Sequence, residues 1–198
     1  MKCVPCSSAG ASEAIQAVKG GGVVVYPTDT VYGIGCDPYN SKAVARIFQI
    51  KRRSPTMPLP VLARSTEDVA GIAVLGNAAS RLGSVFWPGG LTLILELADD
   101  RLGRSMNLDR RVAVRVPSGE CVEQILLECR YLVGTSANTS GEPSVRDPFQ
   151  IRGMERCDIL VDGGMTPGGE STIVDVTGSV PRIVRDGVIP HQRILEEI

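Results

Sequence analysis

Residues 23–35 read VVVYPTDTVYGIG. The first four are β-branched or aromatic with no polar residue among them, the pattern of a strand buried on both faces. Pro27-Thr28-Asp29-Thr30 breaks the run. Upstream, residues 11–19 predict a helix with Ala14, Ile15 and Val18 on one side, ended by Gly20-Gly21-Gly22. A helix, a buried strand and a polar loop in succession point to an α/β arrangement.

The same alternation runs down the chain. Ser41–Lys51 predicts a helix capped by Asn40 or Ser41, with Val44, Ile47 and Phe48 inward. Further helices are expected at 65–70, 78–86, 121–129 and 190–198. Further strands are expected at 59–63, 91–97, 112–116, 131–133, 159–161, 172–176 and 182–184. The expected class is α/β, with a twisted open mixed sheet and flanking helices, built as one domain over residues 1–198.

Composition narrows the function. Of 198 residues, 43% are hydrophobic, 22% charged and 4% aromatic, so an aliphatic core is expected. The formal net charge of -1 supplies no global basic field for nucleic acid. Residues 1–10 lack the apolar segment of a signal peptide, and no run reaches membrane-spanning length. A cytoplasmic location is expected. The six cysteines then read as reduced thiols, with Cys3 and Cys6 as either a packed pair or half of a metal or redox site. His191, the one histidine, reads as a surface residue of the last helix.

Several strands run into polar loops: residues 28–30, residues 134–144 (GTSANTSGEPS) and residues 163–171. Each alone reads as a turn; together they suit a ligand crevice beyond strand ends. Lys51-Arg52-Arg53 closes a predicted helix, where cations complement the macrodipole or hold a polyphosphate. Alternation puts Ala113 and Arg115 on one face of their strand. Arg115 is either solvated or paired with an anion, for which its planar fork suits a carboxylate. There is no GxxxxGK[ST] loop, Gly33-Ile-Gly35 lacks a dinucleotide fingerprint's third glycine, and no nucleophile–base set appears. Cations, hydroxyls and an amide remain, a set for aligning anionic substrates.

Tyr26-Pro-Thr-Asp-Thr-Val-Tyr-Gly-Ile-Gly35, Lys51-Arg-Arg53 with Pro58-Leu59, and Ser136-Ala-Asn138 followed by Ser140-Gly-Glu-Pro-Ser144 resemble the signature elements of the YrdC-like threonylcarbamoyl-AMP synthases. Trp87-Pro-Gly-Gly-Leu-Thr92, residues 112–117, Ser171-Thr172 and Arg185-Asp-Gly187 follow in the expected order, so the resemblance covers nearly the whole chain. It is nearest to the short, single-domain type.

The resemblance implies a concave, positively lined cavity. It also implies an enzyme, a nucleotidyltransferase that makes L-threonylcarbamoyladenylate and pyrophosphate from ATP, L-threonine and bicarbonate. Partner proteins then carry the threonylcarbamoyl group to tRNA. It implies threonine contacts from Thr30, Leu62, Arg115, Gly134 and Ser171. ATP contacts are implied from Lys51, Arg53, Met57, Ser136, Asn138, Ser144 and Arg185, with Lys51, Arg53, Ser136 and Asn138 central to catalysis. Mg²⁺ is expected on the ATP phosphates, with no metal ligand from the protein. Four departures stand out: Lys51-Arg-Arg-Ser54 where KGRP is commoner, Met57 in a position often Asn or Lys, Gly134-Thr135 ahead of Ser136, and Leu62 where some relatives carry His. Two other classes stay open: an RNA-binding module with weak tRNA contact, or a nucleotide-binding regulatory or carbamoyl-transfer subunit.

Overall fold

A computed structural model describes all of the chain, Met1–Ile198. The elements in order are β1 (Lys2–Pro5), α1 (Ser8–Lys19), β2 (Val24–Tyr26), β3 (Gly33–Gly35), α2 (Ser41–Lys51), β4 (Val61–Ala63), α3 (Thr66–Ala70), α4 (Asn77–Phe86) and β5 (Leu91–Glu96). Then follow α5 (Asp100–Met106), β6 (Arg111–Arg115), α6 (Glu120–Cys129), β7 (Tyr131–Val133), β8 (Thr135–Ser136), β9 (Ile159–Asp162), β10 (Thr172–Asp175), β11 (Arg182–Arg185) and α7 (His191–Leu195).

The strands form two mixed sheets rather than the single sheet expected. One has the order β1-β9-β2-β3-β8 and the other β11-β10-β5-β6-β4-β7. The split follows from β3: it turns back antiparallel on β2 and leaves β4 to pair with β6 and β7 instead. The sheets meet at Val133, whose N–H donates to Cys36 O at 2.9 Å and whose carbonyl accepts from the Tyr26 hydroxyl at 2.9 Å.

Strand β2 is buried on both faces, as its composition requires. Val23 and Val25 join the core shared with α2, β4 and β5, whereas Val24 and Tyr26 pack with Ala14, Val18, Val122 and Ile125 under α1 and α6. Helix α2 begins on Asn40, whose side chain accepts from Lys42 and Ala43 N–H, and ends on Arg52 in the left-handed region at φ 50°. Glycine is the commoner cap residue there because it has no Cβ to clash. Helix α1 starts earlier than expected because Ser7 caps it through Gly10 N–H.

The thiol reading needs correction. Cys6 is joined to Cys121 in a disulfide, with Cα atoms 5.6 Å apart. The β1–α1 connection and the first turn of α6 converge there, while Cys3 is exposed on β1. The CxxC spacing therefore misled, since its two cysteines do not pair with each other. Gly33-Ile-Gly35 also has a structural reason: a Cβ on Gly35 would lie 2.1 Å from Val133 O and 2.8 Å from the Tyr26 hydroxyl oxygen. The terminal helix is shorter than expected, and His191 lies on the surface beside Asp186.

Candidate functional site

Between the two sheets lies a cavity of about 90 Å³. The loop after β2 supplies Thr28 and Thr30, β4 supplies Leu62, and β5 and β6 supply Thr92 and Arg115. The β7–β8 junction adds Gly134, Thr135 and Ser136; Glu170 and Ser171, just ahead of β10, and Arg185 at the end of β11 close it. Seven of the twelve residues expected at the site thus share one cavity: Thr30, Leu62, Arg115, Gly134, Ser136, Ser171 and Arg185. A Cβ on Gly134 would sit 2.3 Å from Leu62 Cγ, so a side chain there would press on the cavity wall.

Arg115 is 7% exposed, not solvated, and already has an anion. Its Nη2 donates to Asp29 Oδ1 at 2.6 Å, its Nη1 to Thr30 Oγ1 at 3.0 Å and its Nε to Gly89 O at 2.9 Å. Asp29 is held in turn by Ser118 N–H at 3.1 Å. Burial depresses the Arg115 pKa and Asp29 opposes it, so the cation is kept by its partner. A guanidinium has five N–H groups and three are spent, which leaves two for a ligand. The hydroxyl chain has a direction: Thr28 donates to Val31 O, so it accepts from Thr30, and Thr30 accepts from Arg115.

On the opposite wall, Ser171 Oγ lies 2.8 Å from Thr92 Oγ1 and accepts from Arg185 Nη2 at 3.1 Å. Arg185 also donates to Ser171 O and to Glu170 Oε2, the latter at 2.7 Å. Each cavity arginine therefore carries a carboxylate partner. The positively lined cavity of the expectation is closer to charge-balanced, because Asp29 and Glu170 offset Arg115 and Arg185.

The remaining five residues stand apart from the cavity lining. Lys51 is 1% exposed, and its Nζ donates to Ser136 O, to Asn138 O at 2.8 Å and to Asn138 Oδ1 at 3.3 Å. It ties α2 to the back of the β8 loop. Asn138, implied with Ser136 as an ATP contact, does not face the cavity with it, because strand alternation stops at β8. Asn138 N–H turns back onto Ser136 O at 3.0 Å, and its side chain is buried against Lys51 and Glu142 O. Arg53 closes its own turn onto Met57 O and Pro58 O at 3.0 and 3.1 Å, and Met57 is 50% exposed. Ser144 reaches the cavity only through Glu170, to which its hydroxyl donates.

Sequence reasoning missed Asp29, Thr92 and Glu170. Asp29 lay inside the polar break, but its bond to Arg115 spans 86 positions and has no local signal. Ser140 adds one unspent group: its hydroxyl is buried without a partner in the loop that Lys51 holds.

Two mixed sheets flanked by helices, with a cavity lined by buried Arg115, half-exposed Arg185 and several hydroxyls, define a mixed α/β domain. A family model for the Sua5/YciO/YrdC domain, described as telomere recombination, matches residues 16–187, and the chain belongs to that family. A threonylcarbamoyl-AMP synthase of Pyrococcus abyssi is 36% identical over 89% of this chain, which spans 54% of that relative. A Mycobacterium tuberculosis protein named provisionally as the same synthase is 36% identical over 96% of this chain and 89% of its own length.

The crystal structure of P. abyssi Sua5 complexed with L-threonine superposes with a TM-score of 0.91 and 31% identity over all of this chain and 59% of its own. Escherichia coli YciO superposes with a TM-score of 0.87 and 26% identity over 95% of this chain and 94% of its own.

Proposed function

We propose that this chain makes L-threonylcarbamoyladenylate and pyrophosphate from ATP, L-threonine and bicarbonate, to supply tRNA-modifying partners with the threonylcarbamoyl group. One observation carries the reading: a buried guanidinium with two N–H groups to spare opens into a small cavity beside the hydroxyls of Thr30 and Ser171. That is a receptor for a short hydroxylated amino acid, and a relative with the same fold binds L-threonine.

In this reading Arg115 takes the substrate carboxylate, Thr30 and Ser171 take its polar groups, and Leu62 and Gly134 shape the wall. The threonine amine and bicarbonate give a carbamate and water. A carbamate oxygen then attacks the α-phosphorus and pyrophosphate leaves. The chain's work is to align the carbamate and exclude water, for which a narrow cavity between two sheets is suited. Ser136, Ser144 and Arg185 receive the nucleotide; Lys51, Asn138 and Arg53 act from the adjoining loop and turn, with Met57 at its exposed edge.

No cluster of three or more His, Cys, Asp or Glu is placed to hold a metal, whereas cations and hydroxyls suit phosphate oxygens. Mg²⁺ would accompany the triphosphate on its own oxygens. No helix is long and apolar enough to cross a membrane, which is compatible with work in the cytoplasm.

The test is incubation with ATP, threonine and labelled bicarbonate. A labelled adenylate with threonine-dependent pyrophosphate is expected. Nucleotide binding without product would favour a regulatory subunit. Tight, steeply salt-dependent tRNA binding without product would favour an RNA-binding module.

A further inference from the structure

Glu170 is the one carboxylate among the cavity's lining side chains. Its Oε1 accepts from Ser144 Oγ and its Oε2 from Arg185 Nη1. The side chain is 42% exposed, so two hydrogen-bonding partners hold it and dense packing does not. Those partners, Ser144 and Arg185, are the groups assigned above to the nucleotide. Ser144 spends its hydroxyl proton and Arg185 its Nη1 on this carboxylate, while Arg185 Nε and Nη2 stay on Ser171. A phosphate or ribose oxygen that takes their donors releases Glu170.

The amino-acid side of the cavity has the complementary need. Arg115 answers a carboxylate, and Thr30, Thr92 and Ser171 are neutral. Leu62 is apolar. None of these balances an ammonium. Glu170 adjoins Ser171 in the chain, on the same cavity wall.

We propose that Glu170 is the ammonium-binding, specificity-determining residue of the amino-acid site, and that Ser144 and Arg185 restrain it until a nucleotide takes their donors. This rests on the reading that the cavity takes L-threonine beside ATP. Two properties follow. Nucleotide and amino acid strengthen each other's binding, reciprocally, because one frees the group the other needs. Analogues without the amine bind less tightly, because they forgo the charge-assisted bond to the Glu170 carboxylate. The same carboxylate is placed to take a proton. Ammonium plus bicarbonate gives carbamate, one water and one proton, and that proton passes to the Glu170 oxygen.

The experiment is calorimetric titration of the whole chain and of Glu170→Gln with L-threonine and with 2,3-dihydroxybutyrate. Each is run with and without a non-hydrolysable ATP analogue. The parent is expected to bind threonine at least about fivefold tighter with the nucleotide and to prefer it to the amine-free analogue by about tenfold or more. Glu170→Gln, nearly isosteric, is expected to keep its unliganded melting temperature and lose both the coupling and the preference. A folded variant with undiminished coupling and preference would overturn the proposal while leaving the cavity reading intact. A parent that neither binds threonine nor releases pyrophosphate would overturn both.

Discussion

The ammonium of Lys51 lies 2.8 Å from the carbonyl oxygen of Asn138, 87 positions further along the chain. One cation at the end of α2 thereby fixes the backbone of the loop that carries Ser136 into the cavity. A residue that the family resemblance assigns to phosphate is also a brace of the fold.

Asn138→Ala should therefore destabilise the protein, contrary to what a solvated rim residue would do. It removes the Asn138 amide from Lys51 and from Glu142 O in a buried place. The expected loss is about 1–3 kcal/mol. Ser136→Ala keeps the Ser136 carbonyl that Lys51 uses and should cost much less. Urea denaturation of the two variants separates them; equal midpoints would remove the brace.

Burial, reinforced by the charge of Arg53, brings the Lys51 pKa down to about 8. The ordinary value in an unfolded chain is about 10.4. Between those values the folded state binds fewer protons than the unfolded state. Lys51 therefore makes stability rise with pH across that window, while below about 8 its burial penalty is constant. A polyphosphate beside Lys51 would restore its charge. ATP binding near pH 8.5, roughly mid-window, should accordingly take up protons. Binding heats in two buffers of different ionisation enthalpy measure this uptake, and Lys51→Met should abolish it. No uptake in the parent would place the phosphates elsewhere.

Arg115→Lys keeps a positive charge but cannot span Asp29, Thr30 and Gly89 and still offer a fork. Threonine affinity should fall by about 1.5–3 kcal/mol, the range for hydrogen bonds to charged groups. Arg115→Ala should additionally lower stability, since Asp29 would lose its partner. Titration with threonine and a melting curve give both numbers. An unchanged affinity in the lysine variant would take the carboxylate away from this residue.

Reaction of the denatured, unreduced chain with a thiol reagent should count four cysteines, Cys3, Cys36, Cys129 and Cys157, and six after reduction. The Cys6–Cys121 link spans 115 positions, so reduction should lower stability by about 2–4 kcal/mol. Six reactive thiols before reduction would return all the cysteines to the reduced state.

What was legible followed from local pattern. Runs such as residues 23–26 and 131–133 declared themselves because burial on both faces admits only apolar residues. Strand β3 did not, because its two glycines make room for Tyr26 and carry no propensity of their own. The sequence of β1 (Lys-Cys-Val-Pro) is too short and mixed to declare a strand, and α5 begins in the acidic stretch after β5.

At the site, Arg115 was legible from its residue type and strand position, and Thr30 and Ser171 came from the family resemblance within loops already marked as polar. The division of labour was not. Lys51 and Asn138 turned inward to each other, and Glu170 drew its meaning from Ser144 and Arg185, 26 and 15 positions away. Such pairings arise only when distant segments meet.

Val133 spends its own peptide on joining the sheets, through Cys36 on one side and the Tyr26 hydroxyl on the other. A seam made of directional hydrogen bonds to backbone groups resists sliding in a way that interdigitated apolar side chains do not. The cavity wall is tied directly to this seam: Gly134 follows Val133 in the chain, and Leu62 pairs with Leu132 across β4 and β7. Under the proposed function, the width offered to the amino acid is set at the joint between the two sheets.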